Sequence, residues 1–279
     1  MSNDLPTQRG FAEVNGARLY YEVAGSGHPV VLVHAGIADH RMWDDQFAPF
    51  AERYRVIRYD QRGFGQSTVP AGPFAFHDDL SHLLRQLDVT QAALIGVSLG
   101  GATALNLALA HPEMVAGLVV VGSGLGGMEW PPPSPEELTL FSQVEEAGEA
   151  GDFATANEVE VHIWVDGPQR NPEAVNPGVR ERVREMNLQT FTRHDENEQA
   201  QPQELEPPAS ARLFEIQAPT LVLIGDQDVS GVQAIADRLA ADIPGARKVV
   251  LPNTAHVPNM EQPEAFNQIV LDFLDSLGW

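Results

Sequence analysis

A stretch of ten residues, 92–101 (Ala-Ala-Leu-Ile-Gly-Val-Ser-Leu-Gly-Gly), constrains the fold of this chain more than any other. The stretch begins as an apolar run rich in β-branched residues. A segment of helix formers follows it from Ala102 to Ala110 and ends before Pro112. This order predicts a buried strand, a very tight turn and a helix. At the apex, Ser98 would be forced into a strained conformation with positive φ, which lifts its hydroxyl clear of the main chain.

Two glycines and one amide complete this turn. Gly96 and Gly100 are required because a Cβ at either position would collide with the neighbouring strand or helix. The N–H of Leu99, at the start of the helix, points to where negative charge could be stabilised. Since Gly and Ser are common, an ordinary glycine-rich turn is the alternative interpretation. A base, an acid and a further N–H donor elsewhere in the chain would decide between the two.

The pattern Gly96-x-Ser98-x-Gly100, set between a strand and a helix, resembles the nucleophile elbow of the α/β-hydrolase superfamily. The resemblance covers residues 11–128 and 213–279. It implies an α/β fold with a mostly parallel central sheet, helices on both faces and a serine nucleophile. A serine at this position excludes the branches that use an aspartate nucleophile, namely haloalkane dehalogenases and epoxide hydrolases.

A base and an acid follow in the chain order of that superfamily. His256 comes straight after the last predicted strand, 247–251, in Ala-His-Val-Pro-Asn-Met-Glu, which is similar to the superfamily's catalytic-histidine loop. Asp226 and Asp228 both follow the predicted strand 220–225. The superfamily's Gly-x-x-Asp pattern places the acid at Asp228, and Asp226, expected to cap the turn with its own backbone N–H groups, is the alternative. A serine hydroxyl needs a neutral imidazole to take its proton, and the imidazole needs a carboxylate to fix its tautomer.

The oxyanion donors are implied by the loop that follows the apolar run 30–33. Its sequence, His34-Ala35-Gly36, is similar to the superfamily's His-Gly-x loop, with alanine in place of the usual glycine. Residue by residue, the resemblance makes the N–H groups of Gly36 and Leu99 the oxyanion hole. His34 is expected to hydrogen-bond within the loop rather than transfer protons.

Other polar motifs are predicted to be structural. The turn 60–67, Asp-Gln-Arg-Gly-Phe-Gly-Gln-Ser, is shared with the superfamily and would hold a sharp bend beside the active-site loops. No His/Asp/Glu cluster has metal-ligand spacing and no glycine-rich phosphate loop occurs, so neither a metal nor a cofactor is implied. The other histidines considered are expected at the surface, in the inserted segment or at helix ends: His40, His77, His82, His111, His162 and His194.

Residues 129–212 differ from the rest of the chain, because strand-like runs almost vanish and helices are predicted over 135–149, 153–164 and 179–191. This span holds 18 Asp and Glu against 6 Arg, so −12 of the total charge of −22 lies here. We predict a hydrolase core of residues 1–128 and 213–279 with a helical cap inserted at 129–212, whose polar end 193–202 is expected to be loose. The candidates to face a pocket fit the interior of the cap equally well, so none is assigned as a binding residue: Trp130, Phe141, Ile163, Trp164, Met186 and Phe191.

Composition limits the partners. A net charge of −22 and a pI of about 4.6 argue against nucleic acid and anionic membranes. The absence of cysteine excludes disulfides and thiol catalysis, and with no apolar leader or spanning run the expected location is the cytoplasm. The oligomeric state is left open, with a homo-oligomer compatible with the sequence.

The predicted activity is that of a serine hydrolase cleaving a small-molecule ester or lactone through an acyl-enzyme. A carbon–carbon bond hydrolase or a perhydrolase would use the same triad. A non-catalytic ligand-binding protein of this fold is the alternative from a different class. The sequence does not name the substrate.

Overall fold

The structure is a computed structural model that describes residues 5–193 and 199–278. The strands are β1 Thr7–Val14, β2 Ala17–Ala24, β3 Pro29–Val33, β4 Arg55–Tyr59, β5 Gly72–Phe74, β6 Ala92–Val97, β7 Val115–Val121, β8 Ala200–Pro202, β9 Thr220–Gly225 and β10 Arg247–Leu251. The helices are α1 Asp44–Ala51, α2 Phe76–Gln86, α3 Leu99–Ala110, α4 Pro135–Glu149, α5 Phe153–Val161, α6 Pro177–Thr192, α7 Ser230–Asp242, α8 Pro258–Glu261 and α9 Pro263–Ser276. A π-helical turn, His162–Asp166, continues α5.

Eight strands form one sheet in the order β1-β2-β4-β3-β6-β7-β9-β10. The pairs β1–β2 and β2–β4 are antiparallel, and every later pair is parallel. The pair Asn15-Gly16 predicts a type I′ hairpin turn, and the φ values of these two residues, 49° and 81°, agree with it. The mostly parallel sheet is therefore confirmed.

Helices cover both faces of this sheet, as predicted. Alternate residues of a strand point to opposite faces, so Val31 of β3 packs in one hydrophobic cluster and Leu32 in the other. The first cluster is completed by α2, α3 and α7, and the second by α1 and α9. Strands buried on both faces explain the continuous apolar runs in the sequence.

Element bounds agree closely with those predicted from periodicity. The sequence pattern predicts strands over 55–59, 220–225 and 247–251 and a helix over 135–149, and β4, β9, β10 and α4 have these same bounds. Periodicity predicts a helix over 233–242, whereas α7 begins three residues earlier, at Ser230. Glu137 of α4 accepts hydrogen bonds from the Ser230 backbone N–H at 2.6 Å and from its hydroxyl at 2.7 Å. This tertiary contact satisfies an N–H that would otherwise be orphaned at the helix start.

The segment between β7 and β9 is mainly helical, and α5 packs against both α4 and α6. The predicted helix 153–164 instead ends at Val161 and continues as the π-helical turn. In the polar stretch expected to be loose, Ala200–Pro202 pairs as β8 with β5 in a small parallel sheet, while residues 194–198, His194 among them, lie outside the described residues. The boundaries 129–212 stay a prediction, and we call these residues the inserted segment.

Candidate active site

Ser98 lies between β6 and α3 with φ 56° and ψ −115°, so the predicted positive φ is present. A Cβ at Gly96 would lie 2.2 Å from the carbonyl oxygen of Gly100, and one at Gly100 would lie 2.1 Å from that of Val33. Side chains do not tolerate such distances, so glycine is what allows β3, β6 and α3 to approach this closely. The Ser98 N–H donates to the Val121 carbonyl at 2.9 Å, which ties the turn to β7. A strained non-glycine residue held this firmly points to a functional side chain.

His34 braces the loop after β3. Its Nε2 accepts the Gln61 N–H at 2.9 Å, so Nδ1 carries the proton and donates to the Ala35 carbonyl at 2.8 Å. Burial lowers the pKa of His34, outweighing the nearby Asp60 carboxylate. Both ring nitrogens are engaged, in keeping with the predicted role inside the loop.

The same loop brings Gly36 next to Leu99. A Cβ built on Gly36 would lie 3.8 Å from the Leu99 Cβ. The Ala35 N–H is directed to the Met42 Sδ at 3.2 Å and is not available to a ligand. Leu99 is the first residue of α3, where backbone N–H groups have no partner within the helix. These contacts favour the N–H of Gly36, over that of Ala35, as the donor opposite Leu99.

Asp228 and His256 form a buried pair. The Asp228 Oδ2 lies 2.8 Å from the His256 Nδ1, and the two side chains are 0% and 3% exposed. The other carboxylate oxygen accepts the Val229 N–H at 2.8 Å. A Cβ on Gly122, whose φ is +48°, would lie 3.1 Å from both Asp228 Oδ2 and His256 Nδ1, so glycine leaves room for the pair. A carboxylate at Nδ1 holds the proton there and leaves Nε2 as the basic nitrogen.

Asp226 has a different partner. Its Oδ1 accepts the Asn253 N–H at 2.7 Å and the Gln227 amide at 3.0 Å, on the exposed side of the loop. The expected cap on its own backbone is therefore replaced by a bond to the loop after β10. The structure brings Asp228, and not Asp226, to His256.

A cavity of about 400 Å³ adjoins these groups. The residues that line it are Gly36, Ile37, Ser98, Glu160, Trp164, Asn187, Thr190, Phe191 and His256. Four come from the sheet loops and the elbow, and the sequence singled out three of these, Gly36, Ser98 and His256. The other five come from the inserted segment. Trp164 contacts the site twice, because its ring centroid lies 4.6 Å from that of His256 and its carbonyl accepts the His256 N–H at 3.0 Å.

The six aromatic and apolar candidates of the inserted segment divide into three groups. Trp164 and Phe191 line the cavity. Ile163 and Met186 are buried at 1% and 3% exposure in the hydrophobic clusters. Trp130 and Phe141 line a separate cavity of about 230 Å³ at the start of α7.

The turn 60–67 is held by hydrogen bonds made by its own side chains, which agrees with the structural role predicted for it. Asp60 Oδ1 accepts the His40 N–H at 2.8 Å, and its Oδ2 accepts the Gln66 N–H at 2.8 Å. Asp39, His40 and Asp60 lie close enough to hold a metal ion. Within this group Asp60 also contacts His40 Nδ1 at 2.7 Å, and Asp39 binds the Arg41 guanidinium at 2.6 Å.

Two acidic residues at the site were not singled out from the sequence. Glu261 accepts the N–H of Ala255, next to His256, at 2.6 Å and pairs with Arg170 of the inserted segment at 2.6 Å. Burial raises its pKa to about 7, against the opposing effects of the Ala255 N–H and Arg170. The position of Glu261 at the end of the quoted histidine loop was the available signal. Glu160 lines the cavity, but no sequence signal pointed to it, because it lies in an unremarkable helical run.

A family model described as alpha/beta hydrolase fold matches residues 28–263. The chain belongs to this family. Among the helices that the structure describes, none has the length and apolar character needed to cross a membrane.

Individual relatives of this α/β hydrolase are hydrolases. The 2-hydroxy-6-oxo-6-phenylhexa-2,4-dienoate hydrolase of Burkholderia cepacia is 29% identical over 92% of this chain and 91% of its own. The enol-lactonase from Burkholderia xenovorans LB400 superposes with a TM-score of 0.76 at 27% identity, over 95% of this chain and 100% of the other. Est816, an N-acyl homoserine lactone degrading enzyme, has a TM-score of 0.76 at 28% identity over the same shares. The chain is accordingly a hydrolase of the α/β hydrolase fold.

Proposed function

We propose that this α/β hydrolase cleaves a small carboxylic ester or lactone through an acyl-enzyme on Ser98, with His256 as the base and Asp228 as its orienting acid. One observation carries the proposal. The strained Ser98 and the imidazole of the buried Asp228–His256 pair line the same cavity. Nucleophilic catalysis by a serine requires this combination, a serine exposed by a strained turn beside a buried carboxylate–imidazole pair.

Acylation begins when the Ser98 hydroxyl attacks the carbonyl carbon of the bound ester. His256 Nε2 takes the hydroxyl proton, and Asp228 stabilises the imidazolium that forms. The carbonyl oxygen becomes an oxyanion, which accepts hydrogen bonds from the N–H groups of Gly36 and Leu99. The C–O bond to the leaving group then breaks, and the imidazolium donates its proton to the departing alkoxide.

Deacylation repeats these steps with water. His256 removes a proton from a water molecule, whose oxygen attacks the acyl carbon, and the same two N–H groups hold the second oxyanion. Collapse of this intermediate releases the acid and returns the proton to Ser98. In a lactone the alcohol stays joined to the acyl group, so ring opening and hydrolysis release a single product.

The dimensions of the cavity support a small substrate. Its volume of about 400 Å³ lies at the lower end of the range for small-molecule pockets. Ile37, Trp164 and Phe191 supply apolar walls, and the polar groups lie near Ser98 and along α5 and α6. The enol-lactonase and the N-acyl homoserine lactone degrading enzyme have similar folds and act on lactones according to their names.

Carbon–carbon bond hydrolysis is the second candidate, because the relative from Burkholderia cepacia is named as a dienoate hydrolase. A dienoate carries a carboxylate. No lysine or arginine is among the described residues that line the cavity, which favours the ester or lactone.

The test combines active-site labelling with a substrate panel. A fluorophosphonate should label the wild-type protein at Ser98, as peptide mass spectrometry would show, and Ser98→Ala should stay unlabelled. The panel contains short-chain esters, lactones and vinylogous diketones. Turnover of esters or lactones supports the proposal, faster turnover of the diketones would transfer it to the second candidate, and labelling of another serine would overturn it.

A further inference from the structure

Glu160, near the end of α5, lines the cavity that Ser98 and His256 also line. Its Oε2 accepts a hydrogen bond from the Asn187 Nδ2 of α6 at 2.6 Å. Asn187 is itself buried and held by the Asn157 Oδ1 at 2.9 Å. The carboxylate is therefore fixed in place by two helices of the inserted segment, although the proposed mechanism has no step for it.

No counter-charge for Glu160 is found among the residues that the structure describes. Within residues 5–193 and 199–278, no lysine or arginine lines the cavity and no hydrogen-bond partner is found for the Oε1. Burial raises the pKa of this carboxyl group, and the hydrogen bond from Asn187 opposes that effect only in part. A partly buried carboxylate with one open oxygen facing a cavity is stabilised by a ligand that brings a positive charge or a hydrogen-bond donor.

The surrounding groups suit such a ligand. The aromatic rings of Trp164 and Phe191 line the same cavity, and aromatic faces attract organic cations. The inserted segment carries 18 acidic residues against 6 Arg, so its field concentrates cations and repels anions near the cavity. Local contacts and long-range charge thus favour the same sign of ligand.

We propose that the cavity recognises substrates carrying an ammonium or another hydrogen-bond-donating group, which binds the open oxygen of Glu160, and that it rejects substrates ending in a carboxylate. This inference rests on the proposed function only in placing that group on the ester or lactone that Ser98 attacks. It makes Glu160 a specificity residue and names the substrate class.

Equilibrium binding tests the inference without catalysis. The ligands are 3-phenylpropylamine, 3-phenylpropanol and 3-phenylpropanoate, which share one apolar body and differ at the end group. Titration calorimetry measures their affinities for the wild type, for Glu160→Gln and for Glu158→Gln. The last variant is a matched control, because Glu158 lies on the same helix but pairs with Arg180 and Arg184 outside the cavity.

The wild type should bind the amine about tenfold or more tightly than the carboxylate, with the alcohol between them. Glu160→Gln should reduce that ratio about tenfold, whereas Glu158→Gln should leave it within about twofold, since the Glu158 charge does not line the cavity and is paired with two arginines. Equal wild-type affinities, no measurable amine binding, or an unchanged ratio in Glu160→Gln would overturn the inference. An equal fall of the affinity ratio in both variants would also overturn the inference, because a general electrostatic field, and not a contact with Glu160, would then explain the preference.

Ester hydrolysis separates this inference from the proposed function. Matched phenyl esters with terminal ammonium, methyl or carboxylate groups are compared by kcat/KM, and the wild-type order should follow the binding order. If Ser98→Ala keeps the esterase activity while the binding preference depends on Glu160, only the proposed function fails. If Ser98→Ala is inactive and the preference does not depend on Glu160, only the inference fails.

Discussion

The turn that holds Ser98 and the wall of the cavity contributed by the inserted segment are built by different means. At the turn, backbone strain and glycines in direct contact with neighbouring carbonyl groups allow one arrangement of β3, β6 and α3. The wall is attached by hydrogen bonds and ion pairs, such as the His256 N–H to the Trp164 carbonyl and Arg182 to Asp45. The Arg182–Asp45 pair is more than one-third exposed on both sides, so it contributes little to stability.

Because of this difference, we expect the turn to determine the chemistry and the wall to determine substrate selectivity. A shift of the turn would create collisions at Gly96 or Gly100, so the nucleophile has little freedom. The wall can change its side chains without touching that geometry. We therefore expect substitutions at the turn and the buried pair to abolish turnover, and substitutions in the wall to change which substrate is turned over.

The largest effect should come from Ser98. Ser98→Ala removes the proposed nucleophile and should lower kcat by about four orders of magnitude or more, because no other group can form the acyl-enzyme. Circular dichroism should show an intact fold. Ser276→Ala, at the remote end of α9, is the control and should retain wild-type activity. Near wild-type esterase rates in Ser98→Ala would show that the turn does not supply the nucleophile.

The pair of aspartates tests how sharply the chemistry is localised. Asp228→Asn should lower kcat by up to about four orders of magnitude, because an amide at Nδ1 favours the wrong imidazole tautomer. Asp226→Asn weakens the bond to the Asn253 N–H and should cost about 1 kcal/mol of unfolding free energy with little change in kcat. Steady-state kinetics and urea unfolding of both variants provide the measurement. The opposite pattern would make Asp226 the acid.

Glu261 probes the boundary between the two regions through the pH dependence of stability. Its folded-state pKa of about 7 exceeds the ordinary glutamate value of 4.5, so the folded protein binds this proton more tightly than the unfolded chain. The resulting stabilisation is fully present below pH 4.5 and is lost as the pH rises through 7. Relative to Glu261→Gln, the wild type should therefore gain up to about 3 kcal/mol of unfolding free energy between pH 8 and pH 4.

Urea unfolding across this pH range measures that difference. Glu264→Gln removes an exposed carboxylate three residues further along the chain, in α9, and serves as the control. A wild-type gain of the same size relative to Glu264→Gln would show that the effect is not specific to Glu261.

The smallest expected effect concerns the wall itself. Phe191→Ala enlarges the cavity and should shift the preferred acyl or alcohol chain by one or two carbons, changing relative kcat/KM values about tenfold. Activity on a minimal acetyl ester should persist. Phe141→Ala, which alters the separate cavity beside α7, should leave the preference unchanged. A shift with Phe141→Ala and none with Phe191→Ala would place the substrate in the other cavity.

Local order along the chain was sufficient to predict most of the framework. The strand, turn and helix around Ser98, the bounds of β4, β9, β10 and α4, and the loop positions of Asp228 and His256 follow from periodicity and glycine placement. The positive φ of Ser98 could also be predicted from local sequence, because a turn this short leaves few conformations open to the serine. These features depend on interactions between residues close in sequence.

Features that depend on distant contacts could not be predicted in this way. The strands β5 and β8 have three residues each and acquire their conformation only by pairing across more than a hundred positions. Of the six candidates in the inserted segment, only Trp164 and Phe191 line the cavity, because helical periodicity shows that a face is apolar and not what covers it.

The sequence by itself determined the order strand, serine turn and helix, the chain order of Ser98, Asp228 and His256, and the acidic character of the inserted segment. The tertiary structure decided that Asp228 rather than Asp226 meets His256, that Glu261 holds the histidine loop, and that Glu160 borders the cavity. Glycine patterns and periodicity record local steric limits. The side chain that a carboxylate contacts depends instead on how separate elements pack, and packing brings together residues whose separation in sequence carries no signal.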